Sequence, residues 1–120
     1  MGQFMMRNPL AVHIDFKDIN GLLGKRLPSN IDMIMERHGH FLIGEWKRDN
    51  EKISLGQQIL LKQLARVDKF TVIVVNGNTD DGMTINKFWQ LNKDESFSLL
   101  GTSLQDFKDY LVKWDKDANL

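Results

Sequence analysis

At 120 residues, 42% hydrophobic and 27% charged, the chain has the size and balance of one globular domain built on one core. It contains no Cys, which excludes disulfides and thiolate metal sites. Sixteen Lys and Arg balance sixteen Asp and Glu, which argues against binding polyanions with the whole surface.

The first ten residues, MGQFMMRNPL, carry one Arg but no apolar stretch of signal-peptide length, so no secretory leader is expected. Position 6 is Met rather than Ser or Thr, so Gly2 is not expected to be acylated. No apolar run approaches the ~20 residues that a membrane-spanning helix needs, and no membrane partner is expected. Residues 12–16, VHIDF, alternate apolar and polar types and suggest a short strand. His13 within it reads as structural. The following INGLLGKRLPSN has two Gly and one Pro and reads as loop.

Residues 31–36, IDMIME, suggest a strand. RHGH suggests a tight turn around Gly39, and FLIGEWK a second strand, so the two form an antiparallel hairpin. In NEKISLGQQILLKQLARVDK the period changes. Ser54 suits a helix cap, and Ile53, Gln57, Leu60, Leu61 and Leu64 fall on one helical face. Lys62 and Arg66 lie off that face, and the helix is expected to end near Asp68. FTVIVVNG is a continuous β-branched run closed by Asn76-Gly77, which suits a strand buried on both faces and paired parallel after the helix. NTDDG reads as loop and MTINKFWQL as a further strand. Thr102-Ser103 starts the last helix, with Asp106 in a near capping box and Leu104, Phe107, Leu111 and Trp114 as its apolar face. The tail DKDANL is expected to fray. The expected class is α/β (α+β): a central mixed sheet flanked by helices in a single domain over 1–120.

Chemistry concentrates in the hairpin. Alternation points Glu45 and Lys47 to one face and Trp46 to the other. A turn centred on Gly39 pairs position 32 near position 46, which brings Asp32 beside the Glu45–Lys47 segment. Two carboxylates with room for water suit Mg²⁺, which takes the rest of its shell from water and phosphate. A Lys beside them can orient an attacking water or neutralise developing charge. Gln57, on the core-facing stripe of the helix, needs a hydrogen-bond partner, and the end of the neighbouring strand can supply one. The bland alternative for Glu45 and Lys47 is a surface ion pair worth ~0–1 kcal/mol.

Segment 28–76 resembles the PD-(D/E)XK, or restriction-endonuclease-like, nuclease superfamily, in particular its small phage and recombination members. The family motif is an Asp, a spacer, then Glu or Asp, any residue, and Lys. Here it reads Asp32, twelve intervening residues, then Glu45-Trp46-Lys47. Some branches add a Gln on the next helix, where this chain has GQQ at 56–58. Ile31, not Pro, immediately precedes Asp32, with Pro28 further back. The resemblance implies a restriction-endonuclease-like core. It makes Asp32, Glu45, Lys47 and Gln57 catalytic, with Mg²⁺ (or Mn²⁺) held by Asp32, Glu45 and the Trp46 backbone carbonyl. Asp15 or Asp18 would be a further acidic ligand. The implied protein is a metal-dependent deoxyribonuclease, with DNA and a second copy of itself as partners and no organic cofactor, in the cytoplasm of a bacterium or phage-infected host. The alternatives are a non-catalytic nuclease-fold DNA-binding or assembly module, and an unrelated α/β domain with a chance ExK.

The middle segment, Gly21–Phe70, has nine Lys and Arg against six Asp and Glu, while Thr71–Leu120 has five against eight. Phosphate contacts are therefore expected from Lys25, Arg26, Arg48 and Lys52, with Lys62 and Arg66 as further candidates. His38 and His40 read as exposed turn residues without a ligand. Trp46, Trp89 and Trp114 can stack on bases, but in so small a domain they are expected mostly in the core.

Overall fold

A computed structural model describes residues 14–120. The chain divides into two units, the first ending at Asn30 and the second running from Ile31 to Leu120. The described part of the first unit is a single 3₁₀ turn, Lys17–Ile19, followed by loop with isolated bridges Gly21–Gly24 and Leu23–Arg26. Ile14, Asp15 and Phe16 are not in a strand, contrary to the alternation. The Asp15 side chain accepts from the Lys17 amide (2.9 Å), a local turn that displaces extended pairing. Val12 and His13, the rest of that expected strand, lie outside the described residues.

The second unit is a five-stranded mixed sheet with a helix on each face. In chain order it runs β1 (Met33–Arg37), β2 (His40–Lys47), α1 (Leu55–Ala65), β3 (Phe70–Asn78), β4 (Thr84–Leu91), β5 (Phe97–Gly101) and α2 (Leu104–Ala118). The strands lie in the order β1-β2-β3-β4-β5, and only β2 and β3 are parallel. The helix between β2 and β3 is the crossover that parallel neighbours need.

His38 and Gly39 form a two-residue turn with φ of 50° and 81°. Positive φ at both central positions is what a type I′ hairpin turn requires, and Gly39 adopts it without steric cost. The turn sets the register at Met33 opposite Gly44. Continued by one residue, that register puts Asp32 across from Glu45, not from Trp46 as a turn centred on Gly39 predicts. The one-residue difference matters, because residues directly opposed on paired strands share a face.

Two apolar clusters sandwich the sheet. On one face Leu42, Ile73, Val75, Ile85 and Phe88 meet Phe107, Trp114 and Ala118 of α2. On the other Ile43, Val72, Val74 and Leu91 meet Leu61 and Ala65 of α1, with Ile53 and Leu64 at the flank. Ser54 caps α1 by accepting from the Gln57 amide (3.2 Å). Ser103 caps α2 through the Asp106 amide (3.1 Å), and the Asp106 carboxylate accepts in return from Thr102 N–H (2.9 Å).

Two expectations for the C-terminal part need correction. The segment after β4 forms β5, which completes the sheet. Its signal was weak because only five residues follow the turn at Asn92–Ser96. The tail does not fray at Asp115, since α2 continues to Ala118, whose side chain is buried. Arg37 at the end of β1 fixes this last turn, with Nε 3.6 Å from the Asp115 carboxylate and a bond from an NH2 group to Asn119 (3.0 Å).

A bulge separates Asn76 from Gly77 in the β3–β4 pairing. A Cβ on Gly77 would lie 2.1 Å from the Thr84 carbonyl oxygen. Gly77→Ala is therefore expected to cost about 2 kcal/mol or more, because the colliding atom is backbone and cannot swing aside. Urea unfolding checks this, and an unchanged midpoint would show that the bulge is free to move.

Candidate functional site

Backbone pleat assigns the site residues to one face. Ile43 packs in the α1-side cluster, so Glu45 and Lys47 follow it there, while Trp46 turns to the α2 side and meets Phe107 edge-on at 5.9 Å. Glu45 is only 5% exposed. The first turn of α1 sits above it. Gln57 Nε2 donates to Glu45 Oε1 (3.2 Å), which gives the Gln on the apolar stripe the partner it requires. Lys47 Nζ lies 3.4 Å from the same Oε1, and neither group bonds Oε2.

Asp32 stands just before β1, and its Oδ2 accepts from the Trp46 backbone N–H (2.8 Å). In an extended strand the N–H and C=O of one residue point to the same side. The Trp46 carbonyl therefore faces the β1 side as well, and β1 pairing has already ended there at Met33–Gly44. Two carboxylates and a backbone carbonyl so meet at a notch where the β1–β2 ladder stops.

Electrostatics mark the same point. Desolvation, followed by the hydrogen bond and negative charge of Asp32, pushes the Glu45 carboxyl up to about 7, with Lys47 opposing the rise. Asp32 and Glu45 are thus near enough to share a proton around neutral pH. One ammonium faces two acids, so the cluster has room for more positive charge.

The donor set fits a hard divalent cation. One or two carboxylates, a carbonyl and open positions for water and phosphate oxygen suit Mg²⁺ or Mn²⁺. Among the described residues no group of three or more His, Cys, Asp or Glu gathers at one point, so a cage made of protein ligands alone is not what these residues offer. Asp15 and Asp18 belong to the first unit, and Asp15 is engaged with Lys17.

The residues expected to touch phosphate have varied surroundings. Arg48 makes a bidentate pair with Asp80 in the loop after β3. Lys62 and Arg66 both hold Glu95, at 3.3 and 2.6 Å. Lys52 is exposed and, among the described residues, makes no ion pair. Lys25 and Arg26 are exposed within the first unit, where Arg26 Nε donates to the Leu23 carbonyl (3.2 Å). His38 is exposed in the turn and His40 begins β2. Trp46 and Trp114 pack in the α2-side core, whereas Trp89 packs into neither cluster.

Asn76 was not singled out in the sequence. It sits opposite Lys47 in the parallel register, and its Nδ2 donates to the Lys47 carbonyl (3.2 Å), with Asn86 Nδ2 donating in turn to Asn76 Oδ1 (3.1 Å). This chain holds the end of β2 where Lys47 stands. The only sequence clue is an amide closing an otherwise apolar run, and its meaning depends on register. Comparison with family models, with curated proteins and with solved structures finds no match to this chain.

Proposed function

We propose that this protein is a Mg²⁺-dependent nuclease that hydrolyses phosphodiester bonds in DNA. The observation that carries the reading is the convergence of Asp32, Glu45, Lys47 and Gln57 on one notch, with both carboxylates close enough to share a proton. The resemblance of segment 28–76 to PD-(D/E)XK nucleases supports it independently.

In this reading Asp32, Glu45 and the Trp46 carbonyl would hold the cation, which when bound polarises the phosphate and lowers the pKa of a coordinated water. Lys47 positions the attacking water and offsets negative charge that builds on the phosphoryl oxygens. Gln57 fixes the Glu45 carboxylate, so Oε1 is restrained by two donors and Oε2 stays available. Burial of Glu45 keeps bulk water from competing at that oxygen. Asn76 steadies the strand end that carries Lys47.

The test is incubation of supercoiled, linear, single-stranded and branched DNA with Mg²⁺, Mn²⁺ or EDTA. Cleavage is expected with either metal and not with EDTA, and Asp32→Asn is expected to lose it. Metal-dependent cutting by Asp32→Asn at the wild-type rate would overturn the site. DNA binding with no cleavage of any substrate would point instead to a non-catalytic binding module.

A further inference from the structure

Beside α1, on the side away from β1, lies a cleft of about 450 Å³. Its floor is apolar (Leu61, Leu91), Phe97 forms one wall, and Lys52, Lys62 and Glu95 stand at its edge. Glu95 is occupied by Lys62 and Arg66, so it presents little free negative charge. The cleft opens onto the part of the sheet that α1 does not cover. There Trp89 pairs with Val74 and Leu99, which places all three on the α1 side, and Phe97 follows Leu91 to the same side. Phe97 and Leu99 are 53% and 57% exposed.

This face is continuous with the candidate site. Lys47 lies opposite Asn76, and Asn76 opposite Lys87. Two strand spacings, about 10 Å, separate Lys87 from Lys47 on one surface. Lys87 is exposed and, like Lys52, makes no ion pair among the described residues. Flat apolar groups flanked by unpaired ammonium groups suit a polyanion with aromatic faces. A duplex buries its base faces in its own stack, so only an unpaired strand can use them.

We propose that the cleft and the adjoining β4–β5 face bind single-stranded nucleic acid, with bases stacked on Phe97 and Trp89 and phosphates held by Lys52 and Lys87. This names the substrate region for the nuclease reading and rests on it for the link to cleavage. The strand would run from the Glu45–Lys47 notch across β3 to β5, so the preferred substrate has an unpaired segment beside the scissile bond.

Binding is measured in EDTA, by fluorescence anisotropy of a labelled dT oligomer and of a duplex of equal length. The wild type is expected to prefer the oligomer and to show quenched Trp emission on binding. Phe97→Ser should weaken oligomer binding about tenfold, consistent with the loss of one stacked base. Trp89→Phe should abolish the quench. Lys52→Ala and Lys87→Ala should each flatten the dependence of log affinity on log salt by about 0.7, one phosphate on a single strand. Phe97 is exposed, so the variant should keep the wild-type melting temperature, and circular dichroism verifies that. Equal oligomer affinity in folded Phe97→Ser, or a wild-type preference for duplex, would overturn the proposal. So would a Phe97→Ser change that only converts a dimer to monomer, because a second copy would then be the occupant. Because these arms contain no metal, failure to cut DNA leaves them unaffected, and cutting that ignores Phe97 would sink this proposal while sparing the nuclease reading.

Discussion

Lys47→Ala is expected to slow metal-dependent cleavage by about 10² to 10³-fold, the usual range for removing a group that stabilises developing charge. Its ammonium lies 3.4 Å from Glu45 on a side chain only 17% exposed, so little solvent stands ready to replace it. Lys47 is not a metal ligand, so Mg²⁺ should still raise the melting temperature of the variant. The same ammonium works against the upward displacement of the Glu45 carboxyl. Without it Glu45 holds its proton to higher pH, and both Mg²⁺ affinity and residual activity should move to more alkaline conditions. Lys47→Arg restores charge but not the compact point geometry, and should recover the pH profile more than the rate. Rates measured against metal concentration and pH check this. A loss that saturating Mg²⁺ fully repairs would make Lys47 a metal-affinity group and remove it from the chemical step.

Glu45→Gln should change how stability depends on pH. The Glu45 carboxyl rises from 4.5 to about 7 in the folded chain, chiefly through burial. The folded state therefore binds the proton more tightly than the unfolded chain. The resulting stability is complete below about pH 4.5 and is lost as pH climbs through about 7. At about 1.4 kcal/mol per pH unit, the metal-free wild type should lose at most about 3 kcal/mol from this group across that window. Glu45→Gln should remove that fall and be the more stable protein at pH 8 in EDTA. Mg²⁺ needs the ionised carboxylate, so it should stabilise the wild type at pH 8, little at pH 5, and the variant at neither. At a hundredfold excess over its Kd a ligand contributes about 2.7 kcal/mol, enough to offset most of the loss. Denaturant titrations at several pH values with and without Mg²⁺ measure all of this. Parallel pH curves for wild type and variant would show that Glu45 is ionised throughout.

Much of the fold was legible because local and global signals agree. The hairpin, the capped α1, the β-branched run of β3 and the start of α2 each combine a period with a boundary residue. Ala65 was missed because its size carries little periodic signal, yet it is buried beneath α1. β5 is short and its apolar residues are half in solvent, so it reads as a turn flank. The end of α2 looked polar because Ala118 is a single small apolar residue among charges, and Arg37 that secures it is remote in sequence. In the site, Glu45, Lys47 and Gln57 were legible from alternation and helical spacing. The register of Asp32 was not, because it depends on whether the turn has two residues or three. Asn76 needed the β2–β3 register, which no local pattern encodes. Lys87 and Phe97 needed the whole strand order.

The His38–Gly39 turn makes the site a question of parity. With two residues in the turn, Asp32 and Glu45 share a face. One inserted residue would leave every motif letter in place and still allow a hairpin, yet send one carboxylate to each side of the sheet. A second insertion would restore them. Among descendants of this chain, turn lengths compatible with a working pair of carboxylates should differ by even numbers, and a motif search blind to spacing parity would count the broken ones as intact.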